Sequence, residues 1–354
     1  MDFRPDMDAH LAAKKRMYTK KRKRTKALLV SLLIITIIAV WTLIGFIAYR
    51  LLSSNTPTPP TPAETTADKG FIPEETYAPM TVATEPPKTM EVTFSRDDTK
   101  RGSLILVSFT RDNEFDFSLA GDFMPLYGNK SQSYRISSTA LTLHSDTVAA
   151  FNEMFDAYQS ETGNKDYQIT QASRTFDEQK SIYDSYLETY GVEVGSSLAA
   201  VPGYSEHHSG YAVDMNVYTA DGISYSVGSA AEVNPIYGWI YDNCAKYGFV
   251  LRYPEGKTEI TGITNEPWHF RYVGKGHAAY MAEHSLVLEE YIDLLYSYQF
   301  GKKHLEFSYD GVNYEVALLQ FDDNEETKTI TLEKDTCYTV SGNNEGGVII
   351  TIVK

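Results

Sequence analysis

Between Lys26 and Arg50 the chain runs ALLVSLLIITIIAVWTLIGFIAY, 23 residues without a charge. A helix of that length spans the ~30 Å hydrocarbon core of a bilayer. Apolar periodicity then fades: residues 53–90 hold TPTPPTP and scattered Thr, Glu and Pro, which predicts a disordered, partly extended stalk. Regular patterning starts near Glu91. Leu104–Phe109 (LILVSF) is a compact apolar run of strand length. From Ser145 to Thr162 the residues Val148, Phe151, Phe155 and Tyr158 share one helical face, with Ser145 placed to cap it. A second helix is predicted over Phe176–Tyr190, ended by Gly191. A third starts with Asn234 as cap and Pro235 at the first helical position, and stops at Gly248. It turns Trp239, Ile240, Cys244 and Tyr247 inward, which makes Cys244 a core residue.

PWHFRYV alternates as a strand from Pro267, and helical patterning returns from about Gly276 to Tyr298. Beyond Gly301, apolar residues alternate on both sides of Asp310-Gly311, a hairpin signal. Thr329–Leu332, Cys337–Val340 and Val348–Val353 read as further short strands. The chain therefore divides into a basic segment (1–26), a transmembrane helix (27–49), a stalk (50–90), a main body (91–299) and a β-rich appendage (300–354) with no assignable task.

Charge orients this arrangement. Residues 1–52 carry eleven basic and three acidic side chains, a balance of +8, and the remainder of the −15 chain holds 21 basic against 44 acidic, or −23. The positive-inside rule keeps the N-terminus in the cytoplasm and exports everything after Arg50. A cleaved signal peptide is the alternative, but the apolar run exceeds the usual h-region and no small-x-small site follows it directly. The acidic body leaves no basic surface to neutralise phosphates, which argues against nucleic acid as a partner. Two cysteines, Cys244 and Cys337, are too few for a disulfide scaffold; they either form one bridge or are both buried as small apolar residues.

Two stretches concentrate the chemistry: SEHHSGYAVD at 205–214 and EPWHFR at 266–271. Together they offer His207, Asp214 and His269 as metal ligands. Two imidazoles and one carboxylate leave a tetrahedral Zn²⁺ one open position, the arrangement of a catalytic zinc. Gly210 allows the turn between His207 and Asp214, and Ala212 keeps the intervening strand slim. His269 and Arg271 share a strand face. Glu266, just before that strand, can hold a carboxylate beside the metal without becoming a ligand, and is the natural base for a zinc-bound water. His208 is expected to point elsewhere, because neighbouring strand residues face opposite sides.

The pair S-x-H-x-x-G-x-A-x-D and E-x-W-H resembles the signature of the zinc D-alanyl-D-alanine carboxypeptidases of the VanY type. The resemblance takes in SRTFDEQ at 173–179, Pro202-Gly203 and KYGFVLRYP at 246–254, and covers roughly residues 91–298. It implies His207, Asp214 and His269 as zinc ligands, Glu266 as catalytic base, and Arg174 as the arginine that holds the substrate and its oxyanion. It places Ser205, Gln179 and Trp268 as substrate contacts. One departure is Gln171-Ala172-Ser173, where many relatives have Ser-Gly-Tyr; this changes the pocket rather than the metal. An arginine's fork of donors suits a terminal carboxylate and an oxyanion, and Arg174 and Arg271 are both available, with Arg174 preferred.

The fold class expected is α+β: a mostly antiparallel sheet carrying the ligands on one face, with flanking helices. The function expected is a membrane-anchored D,D-carboxypeptidase that removes the terminal D-Ala from peptidoglycan stem peptides outside the cell membrane. The competing readings are an L,D-carboxypeptidase trimming tetrapeptide stems, an endopeptidase cutting cross-links, and a non-catalytic wall-binding module.

Overall fold

The computed structural model describes residues 89–354. The basic segment, the transmembrane helix at 27–49 and nearly all of the stalk lie outside the described residues. Among the described residues no helix is long and apolar enough to cross a membrane.

A mixed, mostly antiparallel sheet positions the site. Its spatial order is Arg135–Ile136, Tyr167–Gln171, Ala212–Tyr218, His269–Tyr272 and Phe249–Leu251, with Ser224–Ser226 also paired to Ala212–Tyr218. The first pair is parallel and the others antiparallel. Alternation along AVDMNVY sends Val213, Met215 and Val217 into the core on one face. Asp214 and Asn216 therefore point to the other face. The Ser145–Thr162 helix packs against the apolar face, and its stripe of Val148, Phe151, Phe155 and Tyr158 is fully buried. Its cap is His144 rather than Ser145, because the His144 ring accepts the Asp146 N–H.

Other elements depart from the sequence pattern for local reasons. The helix from Phe176 runs on to Leu198, but Gly191 sits at φ 75° and ψ 168°, so the predicted stop is a break between two helical stretches. Thr175 and Glu178 form a capping box at its start. The Asn234–Gly248 helix keeps its predicted cap and stop, yet is divided into 3-10, α and 3-10 turns. Ile240 and Cys244 are buried there, whereas Trp239 stays half-buried and bonds Glu161. The helix expected over 276–298 is two, Lys275–Glu283 and Leu288–Leu295, separated by Ser285 at φ 53°.

Leu104–Val107 is buried but is not a strand. Its backbone is satisfied outside any ladder: Leu104 N–H donates to Ser341 Oγ, Leu106 N–H to Asn343 O, and Arg271 donates to the Ser103 and Ile105 carbonyls. Buried backbone groups need partners, and side chains together with non-ladder carbonyls supply them here.

The C-terminal strands form an antiparallel sheet ordered Leu305–Tyr309, Val312–Gln320, Gly347–Val353, Cys337–Gly342. Asp310 and Gly311 turn the hairpin with φ 49° and 74°, the backbone that a two-residue Asp-Gly turn favours. This segment is not a separate appendage. Thr89–Ser95 pairs with Thr327–Glu333, and Leu305, Val316, Leu318 and Ile349 share a core with Met281, Tyr291 and Ile292. All described residues belong to one compact unit. Cys244 is buried, Cys337 is exposed, and both are free thiols, so neither pairing nor joint burial applies.

Candidate active site

A tight turn sets the first candidate ligand. Glu206–Ser209 make one 3-10 turn, and Gly210 leaves it at φ 72°. A Cβ at Gly210 would lie 2.5 Å from the Phe123 ring and 3.0 Å from the His144 backbone nitrogen, so conformation and space both require glycine. Inside the turn, the His207 Nδ1–H donates to Ala172 O at 2.6 Å. That tautomer leaves Nε2 facing Asp214 Oδ2 at 3.3 Å. The other two ligands come from neighbouring strands in which Asp214 stands directly opposite His269. His269 Nδ1 is 3.0 Å from Asp214 Oδ1. Ligand atoms of all three residues lie within 4.8 Å of one another.

The residues fit a zinc ion. Two imidazoles and a carboxylate are the donor set of a catalytic zinc, and Asp214 Oδ1 is buried without a hydrogen-bond partner among the described residues. Burial, with the Arg174 charge, holds His207 down at about 4, so its imidazole is neutral near pH 7. Burial also opposes charge on His269, but the facing carboxylates of Asp214 and Glu206 hold it up at about 9. The surrounding carboxylates favour positive charge at this point.

Glu266 Oε2 stands 3.5 Å from His269 Nδ1. Burial pushes its carboxyl up to about 7, with Asp214 adding to the rise and His269 and Arg174 opposing it. A carboxylate near 7 is matched to taking and returning a proton at neutral pH. Arg174 closes the other side: Nη2 donates to Asp214 Oδ2 at 2.8 Å, Nη1 to Gln179 Oε1 at 3.0 Å and Nε to Gln171 Oε1 at 3.4 Å. Three of its five N–H donors are thus engaged, leaving two for a substrate oxygen. Gln179 is itself buried and tied to Ala200 O, so it holds Arg174 in place.

The eight residues named as ligands, base, preferred arginine and substrate contacts meet here, and Arg271 does not. Arg174, Gln179, Ser205, His207, Asp214, Glu266, Trp268 and His269 line one solvent-open cleft of about 550 Å³. Ile182, Tyr186 and Leu198 give it an apolar wall.

Two neighbours take other roles. His208 points away from the ligands, although the cause is the 3-10 turn rather than strand alternation. Its Nδ1–H donates to Arg174 O and its Nε2 accepts the Gly203 N–H, so it supports the arginine segment from behind. Arg271 is fully buried and bonds the backbone carbonyls of Ser103, Ile105 and Tyr272, which removes it as a carboxylate receptor.

The sequence reading missed Glu206, Arg252 and Glu289, a buried charge network beneath His269. Arg252 Nε donates to Glu206 Oε1 at 2.8 Å, and its terminal nitrogens grip Glu289 at 2.8 and 2.7 Å. Two signals existed, the Glu beside His207 and the Arg within KYGFVLRYP, but no spacing joins positions 206, 252 and 289.

Comparison with known proteins agrees with this geometry. A family model described as VanY, D-alanyl-D-alanine carboxypeptidase, matches residues 140–275. A D-alanyl-D-alanine carboxypeptidase of Enterococcus faecium is 34% identical over 267 residues, covering 75% of this chain and 79% of its own length. One from Enterococcus faecalis is 32% identical over 260 residues, with 70% and 84% covered. The crystal structure of the vancomycin resistance D,D-dipeptidase VanXYg, 24% identical, superimposes with a TM-score of 0.65 over 75% of this chain and 99% of that one, and shows the shared fold. With its ligand triad, neighbouring carboxylate and arginine in one cleft, and with relatives aligned over most of their length, this chain belongs to the VanY family of D-alanyl-D-alanine carboxypeptidases.

Proposed function

We propose that this protein is a membrane-anchored zinc D,D-carboxypeptidase that removes the C-terminal D-Ala from peptidoglycan stem peptides. The observation that supports it most is the convergence of His207, Asp214 and His269 within 4.8 Å in the cleft that Glu266 and Arg174 also line. Family membership supplies the substrate class.

His207 Nε2, His269 Nδ1 and an Asp214 oxygen would hold the zinc. When bound, the metal supplies Lewis acidity to the scissile carbonyl and acidifies a water. The chain's own residues do the rest. Arg174, held by Gln179 and Asp214, offers its two uncommitted N–H groups to the substrate carboxylate or to the oxygen that gains charge during attack. Glu266 takes a proton from the attacking water and returns it to the departing D-Ala amine; one carboxyl near neutrality serves both transfers. Ser205 and Trp268, on opposite motifs, line the cleft where the stem peptide would lie.

Residues 27–49 anchor the chain and residues 50–90 extend it, with the N-terminus in the cytoplasm and the enzyme outside; the uncharged run and its basic flank support this topology. Protease added to intact protoplasts should release the enzymatic body, and a protected body would overturn the topology. Product analysis on defined muropeptides tests the activity. Release of a single D-Ala from pentapeptide stems is expected. Release only from tetrapeptide stems would make it an L,D-carboxypeptidase, and binding without release a wall-binding module.

A further inference from the structure

The two ring nitrogens of His269 keep different company. Nδ1 faces Asp214 and Glu266, while Nε2 stands 3.7 Å from Glu206 Oε2. Both Nε2 and Oε2 are buried, and among the described residues neither has a hydrogen-bond partner. A ring N–H and a carboxylate oxygen that face each other close to a charge-assisted bond by a shift of roughly 0.8 Å.

Glu206 is built to stay where it is. Its Oε1 is 2.8 Å from Arg252 Nε and 3.2 Å from Arg271 Nη1. Glu289 clamps both terminal nitrogens of Arg252. Each of these four side chains is at most 1% exposed. Two carboxylates and two guanidiniums balance, so neither sign is left over. One oxygen of Glu206 is committed to the arginines, and among the described residues the other faces His269 alone. Tyr253 packs on the His269 ring, with centroids 4.7 Å apart.

We propose that Glu206 is a positioning residue for the metal centre: its Oε2 accepts the His269 Nε2 proton and so directs the Nδ1 lone pair at the zinc. Arg252 and Arg271 hold Glu206 directly through its other oxygen, whereas Glu289 touches only Arg252. The assignment rests on the zinc reading of His207, Asp214 and His269. It gives the Glu within S-E-H-H a task distinct from ligation and from proton transfer. A partner of this kind changes metal affinity by about ten- to a hundredfold.

Zinc affinity of the wild type, Glu206→Gln and Glu289→Gln should be measured by competition with a chelator. Glu289→Gln removes a carboxylate from the same arginine clamp without touching His269, and so reports general loosening of the network. Glu206→Gln should bind zinc about ten- to a hundredfold more weakly, with Glu289→Gln within about threefold of wild type. Equal weakening in both variants, or none in Glu206→Gln, overturns the proposal. A second measurement needs no variant. In zinc-loaded wild type, nitrogen-15 NMR should show His269 Nε2 protonated, with its proton shifted downfield by the carboxylate. An unprotonated Nε2 overturns the proposal even if Glu206→Gln fails to fold. A wild type that takes up no zinc would instead refute the metal-centre reading itself.

Discussion

Replacing Glu266 with glutamine tests the chemistry and the electrostatics of the site together. Gln keeps the size and much of the hydrogen bonding of the side chain but can neither carry charge nor accept the proton. Loss of a general acid–base group lowers turnover ~10²–10⁴-fold, or about 3–5 kcal/mol in the barrier. Stability should move the other way. The folded-state carboxyl lies at about 7 against an ordinary 4.5, raised chiefly by burial. Between these values the native state binds more protons than the unfolded state, so stability falls as pH rises through the window and stays reduced above it. The difference is worth about 3 kcal/mol at pH 8 in the metal-free protein. Glu266→Gln removes that cost, so the variant should be slower when zinc-loaded yet, when metal-free, more stable than wild type at pH 8, with the gain vanishing below about pH 4.5. In wild type, kcat/KM should fall as pH drops through the Glu266 titration, at or below about 7 because a bound cation favours the carboxylate. The variant should lack that acidic limb. Denaturant melts of metal-free protein and D-Ala release by the zinc-loaded enzyme give the two readouts. A variant that is slower and also less stable at pH 8 would show structural damage rather than loss of a base, and unchanged turnover would refute the assignment.

His207→Ala and His269→Ala should each abolish stoichiometric zinc, measured by metal analysis after dialysis, whereas His208→Ala should retain it because its ring bonds Arg174 O and Gly203 N–H instead; an empty His208→Ala site would move the ligand by one residue. Arg174→Ala should lower D-Ala release by ~10²-fold or more, while zinc affinity stays level or rises, since a cation beside Asp214 has been removed. Arg174→Lys should recover only part of the loss, because a point charge does not reproduce the fork that spans Gln179 and Asp214. His277 is buried between the Tyr291 hydroxyl and Thr351, and burial holds it down at about 4. Below its unfolded value of 6.5 the unfolded state gains a proton that the native state refuses, so about 3 kcal/mol should be lost between pH 6.5 and 4. Urea melts across that range should show a shallower acid loss in His277→Gln, and an equal slope would sink the argument.

Local chemistry made much of this protein readable from its residues alone. The triad is legible because metal ligation restricts residue types so narrowly that two histidines and a carboxylate in S-x-H-x-x-G-x-A-x-D and E-x-W-H leave few other readings. The Ser145–Thr162 helix is legible because one apolar stripe decides its burial, and the Asp310-Gly311 hairpin because its turn demands positive φ. What only tertiary structure decided depends on partners distant in sequence. Leu104–Val107 looks like a strand, yet Ser341, Asn343 and Arg271 satisfy its backbone and no ladder forms. The C-terminal strands look like an appendage, yet their apolar face is covered by Tyr291, Ile292 and Met281, and Thr89–Ser95 pairs with Thr327–Glu333. Arg271 shares a strand face with His269 and looks like a substrate receptor, but it is fully buried, with Nη2 held by the carbonyls of the 103–105 loop and Nε by Tyr272 O. Glu206 sat in plain view beside His207, and its meaning required Arg252 and Glu289 to arrive from 46 and 83 residues away. A side chain's type limits what it can do, but the burial and the company that settle its protonation and orientation are properties of the folded chain.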